Sequence, residues 1–253
     1  MSNKILHSRI NKNSRNLLIA LSLGDGCITK DGAIYVNHSW KQYGYSKWLY
    51  NLLKRNGIRV GKFSRFEGSN GYLKHTIQYR FSVSRYDFNK VIRRCLYKDG
   101  KKYYNPGLLR RLDPQGLAIW FMDDGSILRR KYKGKYCGFY LRISTYCSLE
   151  EINEIIKYFN EVWDIYPTKV KERRIKNYDA YTLNFGAKES KKLVNIIKPY
   201  MCPYMMYKVL YDVEECKKYY NVEDMNKIFI DGTLESDRMK MEMGDAHKSE
   251  DIV

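Results

Sequence analysis

Leu117-Ala118-Ile119-Trp120-Phe121-Met122-Asp123-Asp124-Gly125 is an apolar run of helical length that passes directly into two carboxylates and a glycine. Ninety-nine positions earlier, Leu18-Ile19-Ala20-Leu21-Ser22-Leu23-Gly24-Asp25-Gly26 repeats the pattern, with Asp25 where Asp124 stands. A glycine after the acid is the usual way to end a helix in a left-handed turn, which places each aspartate in a last helical turn. The macrodipole is negative there, and a further anion costs roughly 0.3–1 kcal/mol. Two carboxylates at helix ends with outward-pointing carbonyls make sense if a hard cation such as Mg²⁺ is held by oxygen ligands.

Around these segments, Pro114 suits the first turn of the second helix and Asp113 its N-cap. The first helix is expected over Asn16–Cys27, with Ala20 and Gly24 allowing close packing. Laid side by side in parallel, the two helices bring Asp25 and Asp124 together.

The rest of the chain falls into two copies of one order. After Asp25 come a strand at Ala33–Trp40, a helix at Tyr45–Arg55 and strands at Gly61–Glu67 and Tyr72–Ser84 joined by a Gly-Ser-Asn-Gly turn. A helix at Asp87–Tyr97 closes the first copy. After Asp124 come strands near Ser126–Lys131 and Tyr136–Cys147, then a helix at Ser148–Trp163 opened by a Ser-Leu-Glu-Glu capping box. Strands at Ile165–Ile175 and Ala180–Phe185 and a helix from Lys188 to about Tyr200 complete the second. The predicted class is α+β, a duplicated αββαββα unit. Its halves are 1–97 and 114–220, with a linker at 98–113 broken by Gly100, Pro106 and Gly107.

Net charge is +18. Residues 221–253 hold nine acids against four bases, so residues 1–220 carry 42 bases against 19 acids. Such an excess points to a polyanionic partner, nucleic acid before an anionic membrane surface. The acidic segment 221–253 reads as partly disordered. No run of 18 apolar residues exists, and the basic first 15 residues read equally as a weak organelle presequence or an arm touching nucleic acid. The six cysteines form no Cys-x-x-Cys pair and the four histidines are scattered, which argues against zinc and for reduced thiols inside a cell.

The strands concentrate cations and hydrogen-bonding side chains. Lys30, Asn37, Lys62, Ser64, Arg65, Lys74, His75, Gln78 and Arg80 fall in the first copy. Arg129, Arg130, Lys131, Lys133, Lys135, Arg142, Lys169, Lys171, Arg173, Lys176, Tyr178 and Asn184 fall in the second. A sheet face carrying them suits the major groove, with Arg and Lys addressing guanine, Gln and Asn adenine, and the remainder phosphate.

The chain resembles the single-chain, intron-encoded LAGLIDADG homing endonucleases over roughly residues 15–210. Leu18, Leu21, Asp25 and Gly26 match one motif, and Leu117, Ala118, Asp124 and Gly125 the other. Lys198-Pro199-Tyr200 and Pro203-Tyr204-Met205-Met206-Tyr207-Lys208 are similar to the end of the second half in that subgroup. The resemblance implies a monomeric pseudo-twofold fold with the motif helices at its centre and two saddle-shaped antiparallel sheets on double-stranded DNA. It further implies double-strand cleavage across the minor groove in the compartment that holds the host intron, a bacterial cytoplasm or an organelle. Asp25 and Asp124 would hold Mg²⁺, with Mn²⁺ substituting, and the carbonyls of Gly24 and Asp123 would complete the shells. A lysine after the third helix of each half is implied too: Lys208 fits well, and Lys102 better than Lys101. Lys208 is expected to matter more, Lys102 lying in the broken linker. Ile119 and Asp123 stand where the family often has small residues, which predicts a looser helix contact on that side. An RNA maturase acting on the host intron and a DNA-binding regulator are the rival readings.

Overall fold

The computed structural model describes residues 10–70, 73–133, 135–175, 178–210 and 218. The first half runs α1 (Lys12–Leu23), β1 (Cys27–Ile28), β2 (Ile34–Ser39), α2 (Tyr43–Arg55), β3 (Ser64–Asn70), β4 (Leu73–Val83) and α3 (Asp87–Leu96). A hairpin of β5 (Tyr97–Lys98) and β6 (Lys101–Lys102) follows, then a short α4 (Pro106–Leu109). The second half runs α5 (Pro114–Asp124), β7 (Gly125–Tyr132), β8 (Lys135–Cys147), α6 (Leu149–Trp163), β9 (Thr168–Ile175), β10 (Tyr178–Phe185) and α7 (Ala187–Ile197). Strand order is β1-β2-β4-β3 in one sheet and β7-β8-β10-β9 in the other, the same pattern twice. The expected duplication of αββαββα is therefore present in the chain's topology.

Compactness divides the chain differently from the repeat. One unit comprises residues 1–34 and 84–201, the other residues 35–83 and 202–253. In the first unit, α1 packs along α5 and also against α3, while α6 and α7 cover the β8–β10 sheet. Residues 16–23 of α1 and 116–122 of α5 are buried on every side, as expected of helices apolar all round. Trp120 stacks on Phe159, whose ring meets Phe185 edge-on, so α5, α6 and β10 share one core.

In the second unit, alternation along the strands sorts the side chains by face. Val36 on β2 and Tyr79, Phe81 and Val83 on β4 are buried. Rings of α2 close over them: Tyr50 meets Phe81 and Phe63 edge-on, and Tyr43 meets Tyr79. The turn at Pro203–Lys208 belongs to this unit, and Tyr204 lies so close to Gly44 that a Cβ there would stand 2.6 Å from its ring.

Several boundaries depart from expectation for local reasons. Helix α1 begins four residues early because the Asn11 side chain accepts the Ser14 N–H at 2.8 Å, an N-cap ahead of the apolar run. It also ends at Leu23, leaving Asp25 beyond the helix. The capping box at Ser148 and Glu151 forms as predicted, with both reciprocal bonds made. Strand β9 starts at Thr168 rather than Ile165, after Asp164 ends α6 in a left-handed conformation. The linker is not irregular: Asp99 and Gly100, both at positive φ, turn β5 onto β6. Among the described residues, no helix is long and apolar enough to cross a membrane, and Cys27, Cys95, Cys147 and Cys202 are free thiols. The segment 221–253 and the basic residues before Ile10 lie outside the described residues.

Candidate active site

The seam between α1 and α5 fixes the site. At its start, the Asp113 side chain caps α5 by accepting the Gly116 N–H at 2.8 Å and also accepts from Asn16 Nδ2 on α1. The Asp113 N–H returns a bond to Asn16 Oδ1 at 3.0 Å. Gly116 must lack a side chain because a Cβ would collide with Asn16 Oδ1. Two helices joined at their starts and close at their ends are parallel, so their C-terminal ends meet.

At that end the backbone N–H of Asp25 donates to Asp123 Oδ2 at 3.0 Å, and the carboxylate oxygens of these two residues come within 4.8 Å of each other. The glycines of both motifs are required by crowding, which replaces the expected left-handed termination. Gly24 and Gly125 have negative φ, and Gly26 lies outside the positive-φ glycines, which among the described residues are Gly32, Gly57 and Gly100. The Gly26 N–H reaches back to the Leu21 carbonyl at 2.8 Å, so a Cβ on Gly26 would strike that same oxygen. A Cβ on Gly125 would strike the carbonyl and ring of Phe121. The expectation of a looser contact at Asp123 is corrected likewise: its carboxylate rests against Gly24, which could not carry a Cβ beside it.

Asp124 is half-buried in the last turn of α5, and its Oδ2 accepts from the Trp120 indole N–H at 3.0 Å. Burial first, then the charges of Asp123 and Asp25, push its carboxyl up to about 7, against the opposing pull of Lys102 and the Trp120 bond. Lys102 reaches this cluster from β6. Its chain is exposed as a whole, but its ammonium is enclosed, donating to the carbonyls of Gly24 at 2.5 Å, Gly26 at 3.2 Å and Leu23 at 3.4 Å. Burial lowers its pKa, while Asp124, Asp123 and Asp25 work in the opposite direction. Around this core, Tyr104 is buried against Trp120, and its N–H donates to Glu151 Oε1. Lys208, in the other unit, is only 9% exposed at the end of its turn.

The sheets present part of the expected binding residues on one face. On the first sheet, Asn37 Nδ2 donates to Gln78 Oε1 at 2.9 Å, and Arg80 donates to both Gln78 Oε1 and Asn37 Oδ1. Arg80 also lies 3.6 Å over the Phe66 ring, and Ser64 is its cross-strand partner. On the second sheet, Arg142 pairs with Asn184 and Ser126 across the strands and bonds Glu172 Oε1 at 3.0 Å, while Arg130 lies over Tyr140. Arg130, Tyr140, Arg142 and Asn184 line a hollow of about 570 Å³ with Val170 and Gly138. Period-two parity puts others on the opposite face. Arg65 pairs with Tyr79 and bonds Glu67, Arg129 pairs with buried Phe139, and Lys169 pairs with Leu183 and donates to Asn153 on α6. Lys171 is bound to Asp179. Lys30 sits beside α3 in a hollow with Lys90, Arg93 and Arg94. Lys62 and Lys133 are exposed just outside the strands. Lys176 lies outside the described residues, as do the side chains of Lys74, His75, Lys131, Lys135, Arg173 and Tyr178.

A seam of two parallel helices closing on paired acids is matched by sequence: the sequence model of the LAGLIDADG DNA endonuclease family covers residues 15–193. The chain belongs to this family. Among curated proteins, this LAGLIDADG chain is 30% identical over 166 residues to the intron-encoded endonuclease ai4 of Dictyostelium discoideum, covering 64% of this chain and 98% of that one. It is 24% identical to uncharacterized protein MJ1098 of Methanocaldococcus jannaschii, covering 83% and 79% of the two chains. It is 29% identical to the cytochrome b mRNA maturase bI2 of Debaryomyces hansenii, covering 65% and 59%. The chain spans about half or less of the RecA proteins it also matches. Among solved structures, the homing endonuclease I-WcaI bound to its DNA recognition sequence superposes with a TM-score of 0.68 at 22% identity, covering 81% of this chain and 89% of that one.

Beside the LAGLIDADG acids, sequence reasoning missed Trp120 and Tyr104 as neighbours of Asp124, and Glu172 within the cationic face. Trp120 had a readable signal, since a residue four before an acid on a helix shares its face. Glu172 had none, because cross-strand partners depend on a bulged register.

Proposed function

We propose that this chain is a site-specific DNA endonuclease that hydrolyses one phosphodiester in each strand of a long asymmetric target, working intracellularly where its host intron's DNA lies. The observation that carries the reading is the convergence of Asp25, Asp123, Asp124 and the Lys102 ammonium at the ends of two parallel helices. The Asp25 and Asp124 carboxylates beside helix-end carbonyls are a suitable oxygen donor set for a hard divalent cation. Burial, and after it the repulsion of Asp123 and Asp25, raises the Asp124 carboxyl, and a bound cation would offset that cost.

Asp25 and Asp124 would hold Mg²⁺, or Mn²⁺ in its place, with the carbonyls of Gly24 and Asp123. When bound, the cation polarises a phosphate oxygen and the attacking water. Asp124 would hold the cation as the carboxylate, without its proton. Lys102 supplies a fixed positive charge beside the helix ends, where the scissile phosphate would otherwise meet only acids. Trp120 keeps the Asp124 carboxylate from rotating away. Asn37, Gln78 and Arg80 on one sheet and Arg130, Arg142 and Asn184 on the other are the groups fitted to read base edges.

The likeness to a cytochrome b mRNA maturase favours a second reading, assistance to splicing of the host intron. Incubating the protein with Mg²⁺ and the intronless form of its insertion locus tests the first. A double-strand break with short 3′ overhangs is expected; intact DNA together with accelerated splicing of the intron RNA would favour the second.

A further inference from the structure

Asp123 has a side chain where the first motif has Gly24, and that side chain is engaged across the seam. Its Oδ2 accepts the Asp25 N–H at 3.0 Å and lies against the Gly24 Cα. Asp25 stands beyond the last residue of α1, where the backbone has left the helical hydrogen-bond ladder. Its neighbours are tied otherwise: the Gly24 N–H to Ala20 and the Gly26 N–H to Leu21. The contact from α5 therefore fixes the one peptide N–H between them, and with it the direction of the Gly24 carbonyl, which belongs to the same peptide group. That carbonyl is the acceptor of the Lys102 ammonium.

We propose that the Asp123 carboxylate is a positioning residue: it clamps the Gly24–Asp25 peptide across the seam and so aims both the Gly24 carbonyl and the Asp25 side chain. The proposal deepens the nuclease reading and concerns the same site. The role requires an oxygen acceptor, not a negative charge. A ligand role for the same side chain would require the charge. Asparagine separates the two, because its amide oxygen accepts an N–H as a carboxylate does but is a far weaker partner for a divalent ion.

Three proteins are compared: the parent, Asp123→Asn and Asp123→Ala. Hydrogen exchange of the Asp25 amide, in EDTA and without DNA, reads the clamp independently of any nuclease activity. Exchange at least tenfold faster in Asp123→Ala, with protection kept in Asp123→Asn, is expected. With Mn²⁺ and target DNA, cleavage should fall at least tenfold in Asp123→Ala, and Asp123→Asn should recover most of that loss at the same half-saturating Mn²⁺. Unchanged amide exchange in Asp123→Ala would overturn the clamp. An Asp123→Asn protein that keeps amide protection yet loses cleavage as fully as Asp123→Ala, or needs far more Mn²⁺, would make the side chain a ligand instead. Should Asp123→Ala fail to fold, the Asp123→Asn measurements decide alone. If the parent cuts no DNA, the exchange result still stands and only the nuclease reading fails.

Discussion

Asp124 carries the most informative perturbation in the molecule. Its carboxyl is raised from 3.8 to about 7. Without metal, the folded protein then holds a proton that the unfolded chain releases near pH 4. The cost of this residue therefore grows as pH rises from about 4 to about 7 and is complete above that. The full difference is on the order of 4 kcal/mol, an upper bound for a side chain that water still reaches. Asp124→Asn keeps the shape and the indole bond and removes the charge. In EDTA it should melt higher than the parent at pH 8, with the gap closing toward pH 4. A constant gap across pH would contradict the burial and repulsion assigned here. Lys102 gives a second test at this scale. Lys102→Met should lower cleavage on the order of 10²-fold with DNA binding in Ca²⁺ retained, while Lys101→Met should cut close to the parental rate. Equal losses in both would mean that general positive charge, and not one placed ammonium, is at work.

At the scale of elements, the α1–α5 seam was legible because it rests on strong local signals: a repeated apolar pattern, Pro114 after a capping Asp113, and acids at matched ends. The β5–β6 hairpin was not, since strands of two residues carry no periodicity. Its one readable sign was Asp99-Gly100, a pair suited to the two left-handed positions of a tight hairpin turn. Cations on edge strands were equally hard to place. Arg65, Arg129 and Lys169 read as groove contacts by type but are turned away by parity with Tyr79, Phe139 and Leu183. The hairpin yields a prediction of its own. Gly100 has φ +77° with open space around it, so Gly100→Val strains the turn without a clash. It should cost about 1–2 kcal/mol and, by displacing β6, reduce cleavage while leaving the melting temperature within a few degrees. Full cleavage with a strained turn would detach Lys102 from the chemistry.

For the molecule as a whole, a net charge of +23 over residues 1–220 was plain from composition, and it demands a polyanion more firmly than any single contact does. With something like ten phosphate contacts, affinity for target DNA should fall on the order of 10³-fold or more between 50 and 200 mM salt. A flat response in a binding titration would point away from nucleic acid. What composition could not reveal is the target, because base choice depends on which of Asn37, Gln78, Arg80, Arg142 and Asn184 meets which pair.

The most direct measurement pairs cleavage with binding for Asp25→Asn and Asp124→Asn on the intronless locus, with Mg²⁺ for cutting and Ca²⁺ or EDTA for binding. Each substitution removes a charge that repels phosphate in the absence of metal. Both variants should therefore bind as well as the parent or better and make no double-strand break. Full cleavage by either variant would remove the paired carboxylates from the chemistry.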